Sequence, residues 1–114
     1  MTAALLAALI MIESGGNDLA VGDAGRAIGP LQIHAAVVAD VNRIAGTRLL
    51  HSQMTNRQAA MWVCAVYVNH YATPERIGRP VTDEDRARCW NGGPIGWKKP
   101  ATKQYWTKVR RHMK

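Results

Sequence analysis

Glu13 and Asp23 are the residues of this chain whose types and spacing suit bond-breaking chemistry. Two carboxyl groups can cleave a glycosidic bond if one donates a proton to the leaving oxygen. The other stays charged to attack, to activate water or to stabilise the cationic sugar. The two must therefore titrate differently. Glu13 follows Ile10 and Leu9 by three and four positions in an apolar helical run, so its carboxyl borders the apolar face, where desolvation favours the protonated form. Asp23 lies in a polar, turn-rich stretch and is expected to stay ionised. Each also has a plainer reading: Glu13 as a helix-end carboxylate in solvent or paired with arginine, Asp23 as a turn-former bonding its own backbone.

Other residue types support less chemistry. His34, His51, His70 and His112 lack metal-ligand spacing, and Cys64 and Cys89 match no zinc pattern, so neither a metal nor a cofactor is expected. The two cysteines could form one bridge or stay as buried thiols, and the thiol reading is preferred. Ser14, beside Glu13, lacks the glycines of a nucleophile elbow and reads as local hydrogen bonding at a helix end. Gly22, Gly25 and Gly29 have neither the Walker lysine nor a dinucleotide fingerprint. Flat ring faces suit the C–H surfaces of sugars, but Trp62 sits at helical spacing and reads as core. Trp97, in a Gly-Trp-Lys-Lys turn, is the better exposed platform.

The elements that must position these groups are mostly helices. Thr2 can cap a first helix with Leu5, Leu6, Leu9, Ile10 and Ile12 at three- and four-residue spacing, ended by Gly15-Gly16. From Asn17 to Pro30 the glycines with Asn17, Asp18 and Asp23 mark successive turns, leaving room for a small hairpin. A second helix, His34 to Ala45, points Val37, Val38, Val41 and Ile44 inward. Thr55 and Gln58 form a capping-box pattern that opens a third, to about Tyr71, burying Ala59, Trp62, Val63 and Val66. Thr82, followed by Asp83, Glu84 and Asp85, opens a short helix that Asn91-Gly92-Gly93-Pro94 ends. A last helix, about Ala101 to His112, carries Tyr105, Trp106, Val109 and Met113 along one side. The fold class is mainly α (α+β), with a β-hairpin or irregular insert after the first helix.

With 114 residues the chain is long enough for one domain spanning 1–114. The net charge of +7 points to a polyanionic partner: nucleic acid, anionic membrane or acidic wall polymer. Lys98, Lys99, Lys103, Lys108, Arg110, Arg111 and Lys114 concentrate that charge near the C-terminus, where a solvated basic tail is the plain alternative. The apolar run Ala3 to Ile12 lacks the flanks of a signal peptide and is too short to span a bilayer, so membrane insertion is not expected.

Taken in order, Glu13-Ser14-Gly15, Gly29-Pro30-Leu31-Gln32-Ile33, Asn91-Gly92-Gly93-Pro94 and Tyr105-Trp106-Thr107-Lys108-Val109 resemble the motifs of the invertebrate-type (destabilase) lysozymes and, more closely, their bacterial relatives. The first two are also similar to the Glu-Ser and Gly-x-x-Gln-Ile signatures of lytic transglycosylases, within the wider lysozyme-like superfamily. The resemblance implies a lysozyme-like domain that cleaves the β-1,4 bond between N-acetylmuramic acid and N-acetylglucosamine in peptidoglycan. By position, Glu13 would be the general acid and Asp23 the second carboxylate. Gln32 and His34 would line the cleft, the His standing where the family usually has Lys. Asn91 and Gly92 would offer polar and backbone groups to the sugar, and Trp90 takes a place often held by His.

Animal members are rich in disulfides and this chain has two cysteines, a departure that suits a bacterial or phage origin. The expected partner is the peptidoglycan glycan strand, met outside the cell, in the periplasm or after phage delivery, by a monomer. The alternatives are a lytic transglycosylase using Glu13 alone, a non-catalytic wall binder, and a basic nucleic-acid module built on the C-terminal helix and Trp97. The last gives no reason for an acid at the end of an apolar helix, and nucleic acid is not the expected partner.

Overall fold

Strong helix formers fill Ala3–Ser14, which forms α1, and Thr2 caps it: the Leu5 N–H donates to Thr2 Oγ1 at 3.2 Å. In this computed structural model, which describes residues 1–113, Lys114 of the basic C-terminal set lies outside the described residues. Antiparallel β1 (Val21–Gly22) and β2 (Ala27–Ile28) follow, joined through a 3-10 turn at Asp23–Gly25. Next come α2 (Ala35–Ala45), a 3-10 turn at His51–Thr55, α3 (Arg57–Tyr71), the single turn α4 (Pro74–Ile77), α5 (Asp83–Gly92) and α6 (Lys103–Arg111). The architecture is thus mainly α with one small hairpin after the first helix.

The chain divides into two compact units, with the division falling inside α1 and α3. One unit is Ile10–Tyr67, the other Met1–Leu9 with the chain from Val68 onward. In the first, Ile10, Leu31, Ile33, Val38, Val41, Met54, Val63 and Cys64 are buried. In the second, Leu5, Leu9, Val68, Ala87, Cys89 and Val109 are. Both cysteines are free thiols. No described helix is long and apolar enough to cross a membrane.

Several local expectations shift. The cap of α3 is Asn56 and not Thr55: the Ala59 N–H donates to Asn56 Oδ1 at 2.9 Å, and Thr55 Oγ1 donates to the Ser52 carbonyl inside the preceding 3-10 turn. The inward stripe of α3 is Ala60, Val63, Cys64, Tyr67 and Val68. Trp62 is 42% exposed instead of core, and Ala59 and Val66 are half-buried. On α2, Val38 and Val41 are buried, while Val37 and Ile44 are only partly so. The last helix starts later than expected because Pro100–Thr102 forms a 3-10 turn first.

Thr82 caps α5 as expected, and the cap closes into a capping box with Asp85. Thr82 Oγ1 accepts from the Asp85 N–H, and the buried Asp85 carboxylate accepts from the Thr82 N–H at 2.9 Å. Arg79 closes the arrangement with two donated bonds to Asp85, of 2.7 and 2.9 Å. Burial pushes the Asp85 carboxyl up, but the bonds from Arg79 and Thr82 outweigh it and hold the folded group below the ordinary Asp range. A lowered folded pKa gives stability that is present above the unfolded value, about 3.9, and is lost as the pH falls through the folded one. We therefore expect Asp85→Asn to lower unfolding free energy at pH 7 by about 1–3 kcal/mol and to flatten the loss of stability below about pH 4. Denaturant titrations of both proteins at pH 7 and pH 3 check this; parallel acid profiles would show that Asp85 does not carry the effect.

Candidate functional site

Glu13 lies in the last turn of α1, half-buried, one residue before Ser14. The fully buried Cys64 of α3 feels it: burial pushes the thiol well up, and the charge of Glu13 pushes it further. That coupling puts the Glu13 carboxylate within electrostatic reach of the buried thiol. Ser14 does more than finish the helix. Its Oγ lies 2.8 Å from the Pro30 carbonyl, to which it donates, and it accepts from the Gly16 N–H. The end of α1 is thereby tied to the Gly-Pro-Leu-Gln-Ile segment. Arg57 of α3 holds the intervening loop, donating to the Gly16 carbonyl at 2.7 Å and pairing with Asp18 at 2.6 Å.

That Gly-Pro-Leu-Gln-Ile segment is bound on every side. Leu31 and Ile33 are buried, and Ile33 exchanges backbone hydrogen bonds with Ile28 of β2 at 2.9 and 3.3 Å. Gly29 has φ +85°, and a Cβ there would stand 1.8 Å from the Met54 carbonyl oxygen, so only glycine fits. Gln32 sits at φ 50°, a strained conformation for a residue with a Cβ. Its Nε2 donates to the carbonyls of Ala20 and Gly29 at 3.0 and 3.1 Å, and its Oε1 packs against Gly22. The side chain is thus committed to the backbone of the loop. His51, from the 3-10 turn before α3, donates from Nε2 to the Ile33 carbonyl at 2.6 Å.

Asp23 stands at the hairpin turn with φ 51°, its side chain 48% exposed. Its Oδ2 is 3.3 Å from His34 Nε2 and its Oδ1 3.4 Å from Arg26 Nη2, while Arg26 Nε also donates to the Asp23 carbonyl. Arg26 and His34, with Gly25, Ala35, Ala36 and His51, line a cavity of about 360 Å³. Glu13, Asp23, Gln32 and His34 therefore all belong to the Ile10–Tyr67 unit.

Trp90, Asn91, Gly92 and Trp97 belong to the other unit. Trp90 and Trp97 are half-buried and Asn91 is exposed. Lys98 Nζ lies 5.6 Å from the Trp97 ring centroid, within cation–π range. The Gly92 carbonyl accepts from Lys99 Nζ at 2.6 Å, and a Cβ on Gly92 would meet the Thr102 side chain at 2.5 Å. The turn that follows is held by the buried Arg88 guanidinium, which bonds Thr102 Oγ1, Glu84 and the Lys99 carbonyl.

Sequence reasoning passed over Arg26, His51 and Arg57. Their partners lie at separations such as 18 residues for His51 and 41 for Arg57, beyond any local pattern. Arg26 alone had a near signal, three residues after Asp23. Among the described residues no group of three or more His, Cys, Asp or Glu side chains could hold a metal.

The strain at the two hairpin-region glycines differs in kind. Gly25 has φ +88° and open space where a Cβ would stand, so Gly25→Ala should cost only conformational strain, about 1–2 kcal/mol. Gly29→Ala must also displace Met54 and should cost clearly more. Urea unfolding of the two variants decides it, and equal losses would contradict the close approach at Gly29.

No family model matches the chain, and no curated protein does either. Two solved structures are similar to it over nearly its full length. A chain in the crystal structure of Aeromonas hydrophila PliI in complex with Meretrix lusoria lysozyme is 30% identical, with a TM-score of 0.80, covering 97% of this chain and 89% of that one. The crystal structure of Tapes japonica lysozyme is 23% identical, with a TM-score of 0.79, covering 96% of this chain and 89% of that one. The small hairpin after α1, the acid at the helix end and these full-length likenesses agree: the chain belongs to the lysozyme-like superfamily and has the invertebrate-type lysozyme fold.

Proposed function

We propose that this chain is a muramidase, hydrolysing the β-1,4 bond between N-acetylmuramic acid and N-acetylglucosamine in peptidoglycan. One of the similar structures holds an inhibitor, PliI, bound to a lysozyme. The reaction is therefore argued from the residues. The observation that carries it is the Ser14–Pro30 hydrogen bond, which ties the helix end bearing the half-buried Glu13 to the segment that follows the Asp23 hairpin. A general acid must stand still relative to the oxygen it protonates, and a hooked helix end does this better than a free one.

In this reading Glu13 gives its proton to the leaving glycosidic oxygen. Asp23, steadied by His34 and Arg26, stabilises the oxocarbenium-like sugar or attacks it. Gln32 acts by holding the loop through Ala20 and Gly29, so its contribution is to position Asp23 and the wall beside it. Trp90, Asn91, Gly92 and Trp97 are proposed sugar contacts on the strength of the family resemblance. The exposed Lys98, Lys103, Lys108, Arg110 and Arg111 would attract the anionic wall.

Clearing of purified cell walls, followed by turbidity, tests the assignment. Glu13→Gln is expected to lose about 10²–10⁴-fold, the usual worth of a positioned general acid. Asp23→Asn is expected to lose about 10²–10³-fold. Equal clearing by wild type and Glu13→Gln would remove Glu13 from the mechanism.

A further inference from the structure

The net charge of +7 is not spread over the chain. The Ile10–Tyr67 unit, which holds Glu13, Asp23 and His34, has four arginines against four acids and is neutral. The whole excess lies in the other unit, where eleven Lys and Arg residues stand against four acids. Of those acids, Asp83, Glu84 and Asp85 are already paired with Arg86, Arg88 and Arg79. Beyond Asp85 the sequence holds no acid. Lys98, Lys103, Lys108, Arg110 and Arg111 are exposed there, the last four around the side of α6 opposite the buried Val109. Charge and proposed catalysis are thus carried by different units, and the cations need a partner of their own.

The same unit displays an aliphatic side chain near these cations. Ile95 is 51% exposed at the start of the turn that carries Trp97 and Lys98. That turn is fixed in place. Gly96 packs so closely on α5 that a Cβ there would stand 2.0 Å from the Arg88 carbonyl oxygen, and the Thr102 hydroxyl, just before α6, donates to the Gly96 carbonyl at 2.7 Å. We propose that this face adsorbs to the anionic phospholipid surface of a bilayer, with the cations at the headgroup phosphates and Ile95 at the acyl boundary. A polyanion in solution, such as nucleic acid or a wall polymer, satisfies the cations equally well but gives an exposed isoleucine no apolar place to go. A bilayer takes both. Trp97, half-buried with Lys98 Nζ 5.6 Å from its ring, is a side-chain type that settles at headgroup level. No described helix is long and apolar enough to cross the bilayer, so the binding is at its surface. The inference does not rest on the muramidase reading, since the neutral unit takes no part in it.

Sedimentation of the full chain with vesicles tests this. Vesicles of equal parts phosphatidylcholine and phosphatidylglycerol are expected to carry the protein down, vesicles of phosphatidylcholine alone are not, and added salt should weaken the binding. Each cation near such a surface multiplies binding about fivefold, so the double variant Lys108→Gln, Arg111→Gln should lose at least tenfold. Ile95→Ser should weaken vesicle binding about threefold or more while leaving binding to duplex DNA at the same salt unchanged. Glu13→Gln should bind vesicles as the wild type does. The substituted α6 and turn positions are exposed, and circular dichroism confirms that the variants keep the fold. Equal sedimentation with the two kinds of vesicle would overturn the proposal. So would vesicle binding that Ile95→Ser leaves untouched, which would assign the face to a polyanion in solution.

Discussion

The hydrogen bond from Ser14 Oγ to the Pro30 carbonyl closes a loop of 16 residues, and the arrangement of the proposed site depends on that closure. Its own worth is about 1 kcal/mol, whereas closing a flexible loop of that length costs about 2.5 kcal/mol by the (3/2)RT ln n relation. The bond cannot hold the loop alone. Burial of Leu31 and Ile33, each worth about 1.5–3 kcal/mol, supplies the surplus, and the hydrogen bonds of Gln32 and Arg57 set the loop's path. Apolar burial thus drives the closure, and the polar contacts decide its geometry.

Strain in the same segment points the same way. Asp23, Ala24 and Gln32 all lie at positive φ, a conformation that costs about 1–2 kcal/mol for residues bearing a Cβ. Such residues persist only where their surroundings over-determine them. Here Asp23 is held by Arg26 and His34, and Gln32 by two carbonyls. A carboxylate set at a strained turn and braced from two sides is pre-organised, as the proposed charge stabilisation requires.

Much of this was legible in the sequence where the signal is local. The Thr2 cap, the Gly15-Gly16 stop, the Thr82 cap and the place of Glu13 at the end of its helix follow from local sequence alone. The hairpin could be suspected from its turn residues but not paired. Thr55 and Asn56 are both good caps, and only the Ala59 N–H bond shows that Asn56 serves; Trp62 sits at helical spacing beside Val63, and periodicity alone does not tell which side of that stripe faces the core. Long-range bonds left no trace to read. The Gln32 amide reaches the Ala20 carbonyl twelve residues away, and nothing near His51 in sequence announces the Ile33 carbonyl. The site residues were legible as types, and their partners were not.

In the proposed reaction, water and not the sugar's own hydroxyl completes the cleavage that Glu13 begins and Asp23 supports. Digestion of peptidoglycan in ¹⁸O-labelled water, with the released muropeptides weighed by mass spectrometry, tests it most directly. The account predicts reducing-end muramic acid carrying one labelled oxygen. Unlabelled anhydro-muramic ends would contradict it and would assign the chain to transglycosylase chemistry with Glu13 acting alone.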